Sequence, residues 1–296
     1  MDYIKIKINK KFEGKTIKDF LKSYYLGRGK IEELRNSKRV FLNGVLSSID
    51  SPIKKDDELK IIIEEKIDKT PSYIEADVIY EDEYVLLVNK PSSLLIHDDG
   101  NKCEDTLEGR VAAYYLSHRI YRNVRYVHRI DVETSGIVIF AKDFLTSSML
   151  NHMIEEHEIE RKYLAICQNR FSAKEGVINA PIASDRHINN KFRVSKNAKN
   201  AKRAITNYKV INYVDKKHSL VSLKLETGRT HQIRVHMSYI NHPLAGDLLY
   251  GGTNELISRV ALHSSSVKFL HPITQEYVFV ECPLPDDMKK IINLEE

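Results

Sequence analysis

Ile137-Val138-Ile139-Phe140-Ala141 sets five apolar, partly β-branched residues in succession with no polar break, and reads as a buried central strand. Any fold for this chain has to supply a sheet that hides it. The residues just before it have the opposite character. His128-Arg129-Ile130-Asp131-Val132-Glu133-Thr134-Ser135-Gly136 brings a carboxylate to the mouth of that strand, two positions from a cation. Such a group is placed for chemistry, although an isolated Asp ahead of Ser/Thr-Gly ordinarily hydrogen-bonds within its own turn.

Beyond residue 75 strands and helices mix irregularly. Residues 84–89, 159–167 and 220–226 read as strands. Asp143 caps a helix with Leu145, Met149, Leu150, Met153 and Ile154 on its apolar side. Without a steady βαβ alternation this is an α+β domain. The start of the chain is patterned differently. Thr16 caps a helix carrying Ile17, Phe20, Leu21 and Tyr24, with Asp19 completing a capping box. A second short helix covers residues 31–34, Asn43-Gly44 between apolar residues signals a hairpin, and residues 59–63 close the unit as a strand. Residues 66–72, polar and containing Pro71, separate the two patterns, which gives an N-terminal domain over 1–65, a linker over 66–74 and a catalytic domain over 75–296.

The net charge of +5 belongs to the first unit: residues 1–70 hold 17 Lys/Arg against 12 Asp/Glu, and the remainder is balanced at 29 of each. A phosphate backbone is the partner such a distribution suits. Between Arg186 and Lys209 there are eight Lys/Arg and no acidic residue, interleaved with Phe192 and Tyr208, a second arm able to follow RNA. No window approaches about 18 uninterrupted apolar residues, and the first ten residues lack an apolar signal core, so a cytoplasmic protein without membrane contact is expected. Cys103, Cys167 and Cys282 are too far apart for a disulfide framework or paired metal ligands, and read as small buried hydrophobes. His231 and His236, five apart, do not share a face, so no metal is expected. No glycine-rich nucleotide loop is present, and no cofactor is expected.

The string 128–136 resembles the catalytic motif of the RluA family of pseudouridine synthases. Further segments are similar to that family's elements in the same order. These are Asn89-Lys90-Pro91-Ser92-Ser93-Leu94-Leu95-Ile96-His97, Arg161-Lys162-Tyr163-Leu164-Ala165, Thr227-Gly228-Arg229-Thr230-His231-Gln232-Ile233-Arg234-Val235-His236, then His242 to Asp247, and Ala261-Leu262-His263 with His271-Pro272. The chain departs once, with Ser93 where the family usually has Gly. The N-terminal unit looks like the small αL RNA-binding module of a small-subunit ribosomal protein and of some tRNA synthetases. The resemblance implies a catalytic domain on a mixed, mainly antiparallel sheet with flanking helices, and a monomer that acts on RNA, most readily large-subunit rRNA.

It also implies roles. Asp131 would be the nucleophile, Arg234 its cationic partner, and Tyr163 the side chain packed on the target base. Arg129 would fill the space left by a flipped nucleotide, and Arg229 would meet phosphate. By the αL likeness, Arg28, Lys30, Arg35, Lys38 and Arg39 would contact RNA. Thr230 is expected to cap the helix that bears Arg234, with Ile233, Met237 and Ile240 on the core side and Arg234 projecting away from it. Glu133 is read as surface or turn support, since neighbouring chain positions do not fix the separation a two-carboxylate hydrolase needs. Two other readings stay open: a non-catalytic RNA-binding or ribosome-assembly protein, and a carboxylate hydrolase of nucleosides or sugars. Transfer RNA is the alternative substrate.

Overall fold

The structure, a computed structural model, describes residues 2–98, 100, 105–195 and 197–292. Cys103 and Lys196, one of the eight Lys/Arg of the 186–209 arm, lie outside them.

The N-terminal unit is a four-stranded sheet of β1 (Asp2–Lys7), β2 (Val40–Leu42), β3 (Val45–Leu46) and β4 (Glu58–Ile63), in the order β1-β4-β2-β3, with helices α1 (Ile17–Ser23) and α2 (Arg28–Arg35). Its local signals act as expected. The Thr16 hydroxyl accepts from the Asp19 N–H and the Asp19 carboxylate accepts from the Thr16 N–H, the reciprocal box that starts α1. Asn43 and Gly44 both take positive φ, as the tight turn between β2 and β3 requires. This unit is not a loose appendage. Its core residues Ile4, Ile6, Phe20 and Ile61 belong to one continuous apolar cluster with Tyr84, Val85, Leu87 and Ile139 of the second unit. Tyr84 donates to the Lys5 carbonyl (2.8 Å), Ser148 to the Tyr25 carbonyl (2.7 Å), and Arg122 pairs with Asp2 (3.1 Å). The stretch between the two units is pinned as well: the Ser72 N–H meets the Gly109 carbonyl and the Val124 N–H meets Asp68.

The second unit is built on a ten-stranded sheet. Its members in chain order are β5 (Val78–Glu81), β6 (Val85–Lys90), β7 (Arg125–Tyr126), β8 (Ser135–Ala141), β9 (Glu160–Gln168) and β10 (Glu175–Asn179), followed by β13 (Ile205–Tyr213), β14 (His218–Leu225), β15 (Leu262–Leu270) and β16 (Tyr277–Glu281). A separate hairpin, β11 (Ile182–Ser184) with β12 (Phe192–Val194), lies in the basic arm. The main path runs β10-β13-β14-β9-β15-β8-β6-β5, with β16 on β15 and β7 on β8. β8 and β15 run parallel; the other pairings are antiparallel. The fold is therefore α+β on a mixed, mainly antiparallel sheet.

Helices cover both faces, which is why the central strands read as unbroken apolar runs. Leu86, Val88, Val138 and Phe140 point into a core with α3 (Leu107–Ser117). Their alternates Val85, Leu87, Ile137 and Ile139 point the other way, against α4 (Phe144–Glu155) and the N-terminal unit. The β9 half of the sheet repeats the scheme. Tyr163, Ala165 and Cys167 pack under α5 (Gln232–Tyr239), and Ile166 packs against α6 (Asp286–Ile292). Each fully buried Val, Leu, Ile or Phe among them contributes roughly 1.5–3 kcal/mol. Cys167 and Cys282 are buried. Among the described residues no helix is long and apolar enough to cross a membrane.

Two expectations about α5 are corrected. The residue at its N-cap is His231, not Thr230; its backbone is left-handed (φ 55°) and its side chain does not cap the helix. Every residue from Gln232 to Met237 is buried, so Arg234 points into the molecule instead of away from its core. Ser93 has φ 63° and its N–H donates to the Val132 carbonyl (2.9 Å). The family's usual glycine thus falls where the backbone is left-handed, a conformation glycine adopts without steric cost.

Candidate active site

Asp131 ends up where the sequence suggests, in the turn that feeds β8. That turn is held from behind by Lys90, whose ammonium is fully buried and donates to the carbonyls of Pro91, Leu94 and Val132 at 2.8–2.9 Å. Burial pushes the Lys90 ammonium down to about 7, against the charge of Asp131, which raises it. Ser92 adds a bond from its hydroxyl to the Glu133 carbonyl (2.8 Å). The Asn-Lys-Pro segment is thus the fixture that sets the height of the Asp131 loop.

The opposite wall is the Thr227–His236 segment, tied in place by Gln232 and His236. Gln232 accepts from the Thr227 hydroxyl (2.7 Å) and the Arg229 N–H (3.1 Å), and donates to the Ile205 carbonyl (2.9 Å). His236 sits between the Thr206 hydroxyl and the Ala180 carbonyl, each at 2.8 Å, and burial lowers its pKa. Both ring nitrogens are thereby occupied, and among the described residues no cluster of His, Cys, Asp and Glu could hold a metal.

Between these walls lies a cavity of about 1090 Å³, lined by Asp131, Tyr163, Arg129, Arg229 and Arg234 among others. All five residues expected at the reaction centre therefore meet there. Arg234, 5% exposed, is the hub. Its Nε and Nη2 each donate to the Asp247 carboxylate at 2.8 Å, its Nη1 lies 3.7 Å from Asp131 Oδ2, and its Nη2 lies 3.3 Å from Glu133 Oε2. Burial alone would lower the Arg234 pKa; the bonds and charge of Asp247, with Asp131 and Glu133, lift it far above the ordinary value. The expected Arg234–Asp131 proximity is present, but Asp247, fully buried, is the carboxylate that grips the guanidinium. Glu133, read from sequence as surface support, lines the same cavity within reach of Arg234.

His231 and Tyr250 complete this side. His231 Nε2 is 3.9 Å from Asp131 Oδ2, while Nδ1 is 2.9 Å from the Tyr250 hydroxyl. That hydroxyl accepts the Phe192 N–H (3.0 Å). Among the described residues its own hydrogen has only His231 Nδ1 to go to, which leaves the Nε2 hydrogen facing Asp131. Burial lowers the His231 pKa, with Asp131 opposing, so the ring stands neutral at pH 7. Phe192 also ties the basic arm to the site, its ring edge-on to His231. Tyr163, buried on β9, has its hydroxyl pushed up by burial and pulled down by the Arg161 charge. The αL-type residues fall on the N-terminal unit outside this cavity. Lys30 pairs with Glu33 (2.9 Å) and stands over the Phe144 ring, Arg35 pairs with Glu32 and Asp50, and Arg39 pairs with Glu33. Arg28 and Lys38 are exposed and free of ion pairs among the described residues.

A family model described as RNA pseudouridylate synthase matches residues 84–239, more than half of the chain, including Asp131, Tyr163 and Arg234. The chain belongs to the RNA pseudouridylate synthases. It is an isomerase that acts on uridine in RNA. A second family model, the RluD ribosomal pseudouridine synthase N-terminal domain, matches residues 4–59. The chain is 36% identical to the uncharacterized RNA pseudouridine synthase YhcT of Bacillus subtilis (strain 168), over 97% of this chain and 96% of that one. It is 32% identical to the ribosomal large subunit pseudouridine synthase D of Escherichia coli O157:H7, over 90% and 86% of the two chains. Among solved structures it is similar to human RNA pseudouridylate synthase domain containing 1, with a TM-score of 0.61, 26% identity and coverage of 73% of this chain and 86% of that one. The cavity around Asp131 is partly open, with room for a uridine that has left its stack. Asp247, His231 and Tyr250 went unassigned in the sequence reading. The His242–Asp247 string marked Asp247's segment, but Tyr250 lies outside every motif.

Proposed function

We propose that this synthase modifies uridines of large-subunit ribosomal RNA, with Asp131 as the nucleophile. The observation that carries this is the Asp131 carboxylate at 3.7 Å from buried Arg234 and 3.9 Å from His231, inside a cavity able to hold a nucleotide. An ionised carboxylate attacks an electrophilic carbon of the nucleotide, and the N1–C1′ bond breaks with its electron pair on uracil. The freed base turns within the cavity and C5 takes the place of N1 on C1′. C5 loses its proton and the carboxylate is released. Tyr163 packs on the base, Arg129 fills the gap in the RNA stack, and Arg229, whose Nε is engaged by the Arg203 carbonyl, meets phosphate with its terminal nitrogens. Ribosomal RNA is favoured over tRNA by the N-terminal unit, whose likeness is to that of a ribosomal-RNA-modifying relative.

Transcripts carrying tritium at uracil C5 test the substrate. Release from a large-subunit rRNA transcript and none from tRNA transcripts is expected; release from tRNA alone would overturn the rRNA assignment. Of the N-terminal contacts, Arg28 and Lys38 have their charge free for phosphate. Arg28→Ala with Lys38→Ala is expected to weaken rRNA binding and to flatten the logarithmic salt slope by about 1 to 2. An unchanged slope would remove this face from the RNA interface. Deleting residues 1–70 is the wrong version of this test, since it would uncover Val85, Leu87 and Ile139.

A further inference from the structure

Arg161 carries a buried positive charge that the fold does not use. The residue is 6% exposed, it lies two positions before Tyr163 on the same face of β9, and it lines the cavity. Its Nε is sealed from solvent without a hydrogen-bond partner, and among the described residues no carboxylate comes within ion-pairing distance of it. The chain's other buried cations have partners: Arg234 has Asp247, Lys142 has Glu81, Arg122 has Asp2, and Lys90 has three backbone carbonyls. An unpaired guanidinium out of water is costly, so its retention at the reaction cavity calls for a transient counter-charge. The approach of the loop is fitted to it as well. A Cβ on Gly228 would come within 3.3 Å of both terminal nitrogens of Arg161, closer than nearly all real contacts of that kind. The field of Arg161 also reaches its neighbours, holding down the pKa of Tyr163 and adding to the burial that takes His128 to about 3.

Resting on the pseudouridine synthase reading above, we infer that Arg161 stabilises the negative charge that develops on the uracil carbonyl oxygens when the base is detached and turned. Attack of Asp131 at C1′ leaves the N1 electron pair on uracil, delocalised onto O2 and O4. Attack at C6 instead places it on the O4 enolate. Either way an anion forms in the cavity that Arg161 lines, and no bond to Arg161 is made or broken. A preorganised donor aimed at developing charge is worth about 10²–10³ in rate.

The test is steady-state tritium release from C5-labelled rRNA by the full chain, with Arg161→Met, Arg161→Lys and Asp131→Asn beside the wild type, and a thermal melt of each. Arg161→Met is expected to lose about 10²–10³ in kcat with KM changed less than about threefold. Its melting temperature should be unchanged or higher, because an uncompensated buried charge has gone. Arg161→Lys should recover at least tenfold over Met. A KM rise at unchanged kcat would make Arg161 an RNA-binding contact and overturn the inference, and so would a melting temperature that falls with the activity. Full activity of Asp131→Asn would instead overturn the nucleophile assignment on which it rests.

Discussion

Arg234→Met should cost about 3–5 kcal/mol of stability, a large part of what a domain of this size has, and should abolish tritium release. The cost comes from what is left behind. Asp247 is fully buried and gives its two carboxylate oxygens to Arg234 at 2.8 Å; without the guanidinium that charge has no partner. Arg234→Met combined with Asp247→Leu removes both charges and is expected to return stability to within about 2 kcal/mol of the wild type. Activity should stay down by about 10³-fold or more, because Asp131 has lost the cation at 3.7 Å. Chemical denaturation and single-turnover tritium release separate the two effects. A stable double variant that turns over normally would show that Arg234 serves only the fold.

Gly136→Ala should fail to fold. Gly136 has φ +103° at the point where β8 and β15 run parallel, and an added Cβ would lie 2.2 Å from the Ser264 carbonyl oxygen and 2.8 Å from its nitrogen. Both neighbours are backbone, at the centre of the sheet, and neither can step aside without breaking the pairing. A loss above about 4 kcal/mol is expected, seen as insoluble or unfolded protein. Gly27→Ala is the control, since nothing lies within 4 Å of its Cβ position and it should fold normally. A Gly136→Ala protein within about 1 kcal/mol of the wild type would contradict the register of β8 on β15.

What was legible in the sequence was local or strictly periodic. The β8 run announced itself because both its faces are covered, and the Thr16 box and the Asn43-Gly44 turn because their hydrogen bonds close within a few residues. The position of Asp131 followed from the same strand. The misreadings were cases where a distant partner decided. Thr230 has a capping side chain, yet the helix begins after His231, held in a left-handed backbone with its ring on Tyr250, 19 residues away. Arg234 looked like a one-partner residue on a helix surface; its main partner, Asp247, arrives from a turn 13 residues on. Lys30 pairs with Glu33 three residues along its own helix, and the fold brings Arg39 to the same carboxylate. Arg161 passed unnoticed because an arginine on a half-buried strand looks ordinary until its surroundings prove to hold no counter-charge.

Asp131 carries the proposed chemistry. Wild-type protein and Asp131→Asn should be incubated with a large-subunit rRNA transcript, and the RNA digested to nucleosides and assayed for pseudouridine. Pseudouridine from the wild type, and at least about 10⁴-fold less per unit time from the variant with its RNA affinity and melting temperature retained, is the predicted result. Equal pseudouridine from both proteins would contradict it.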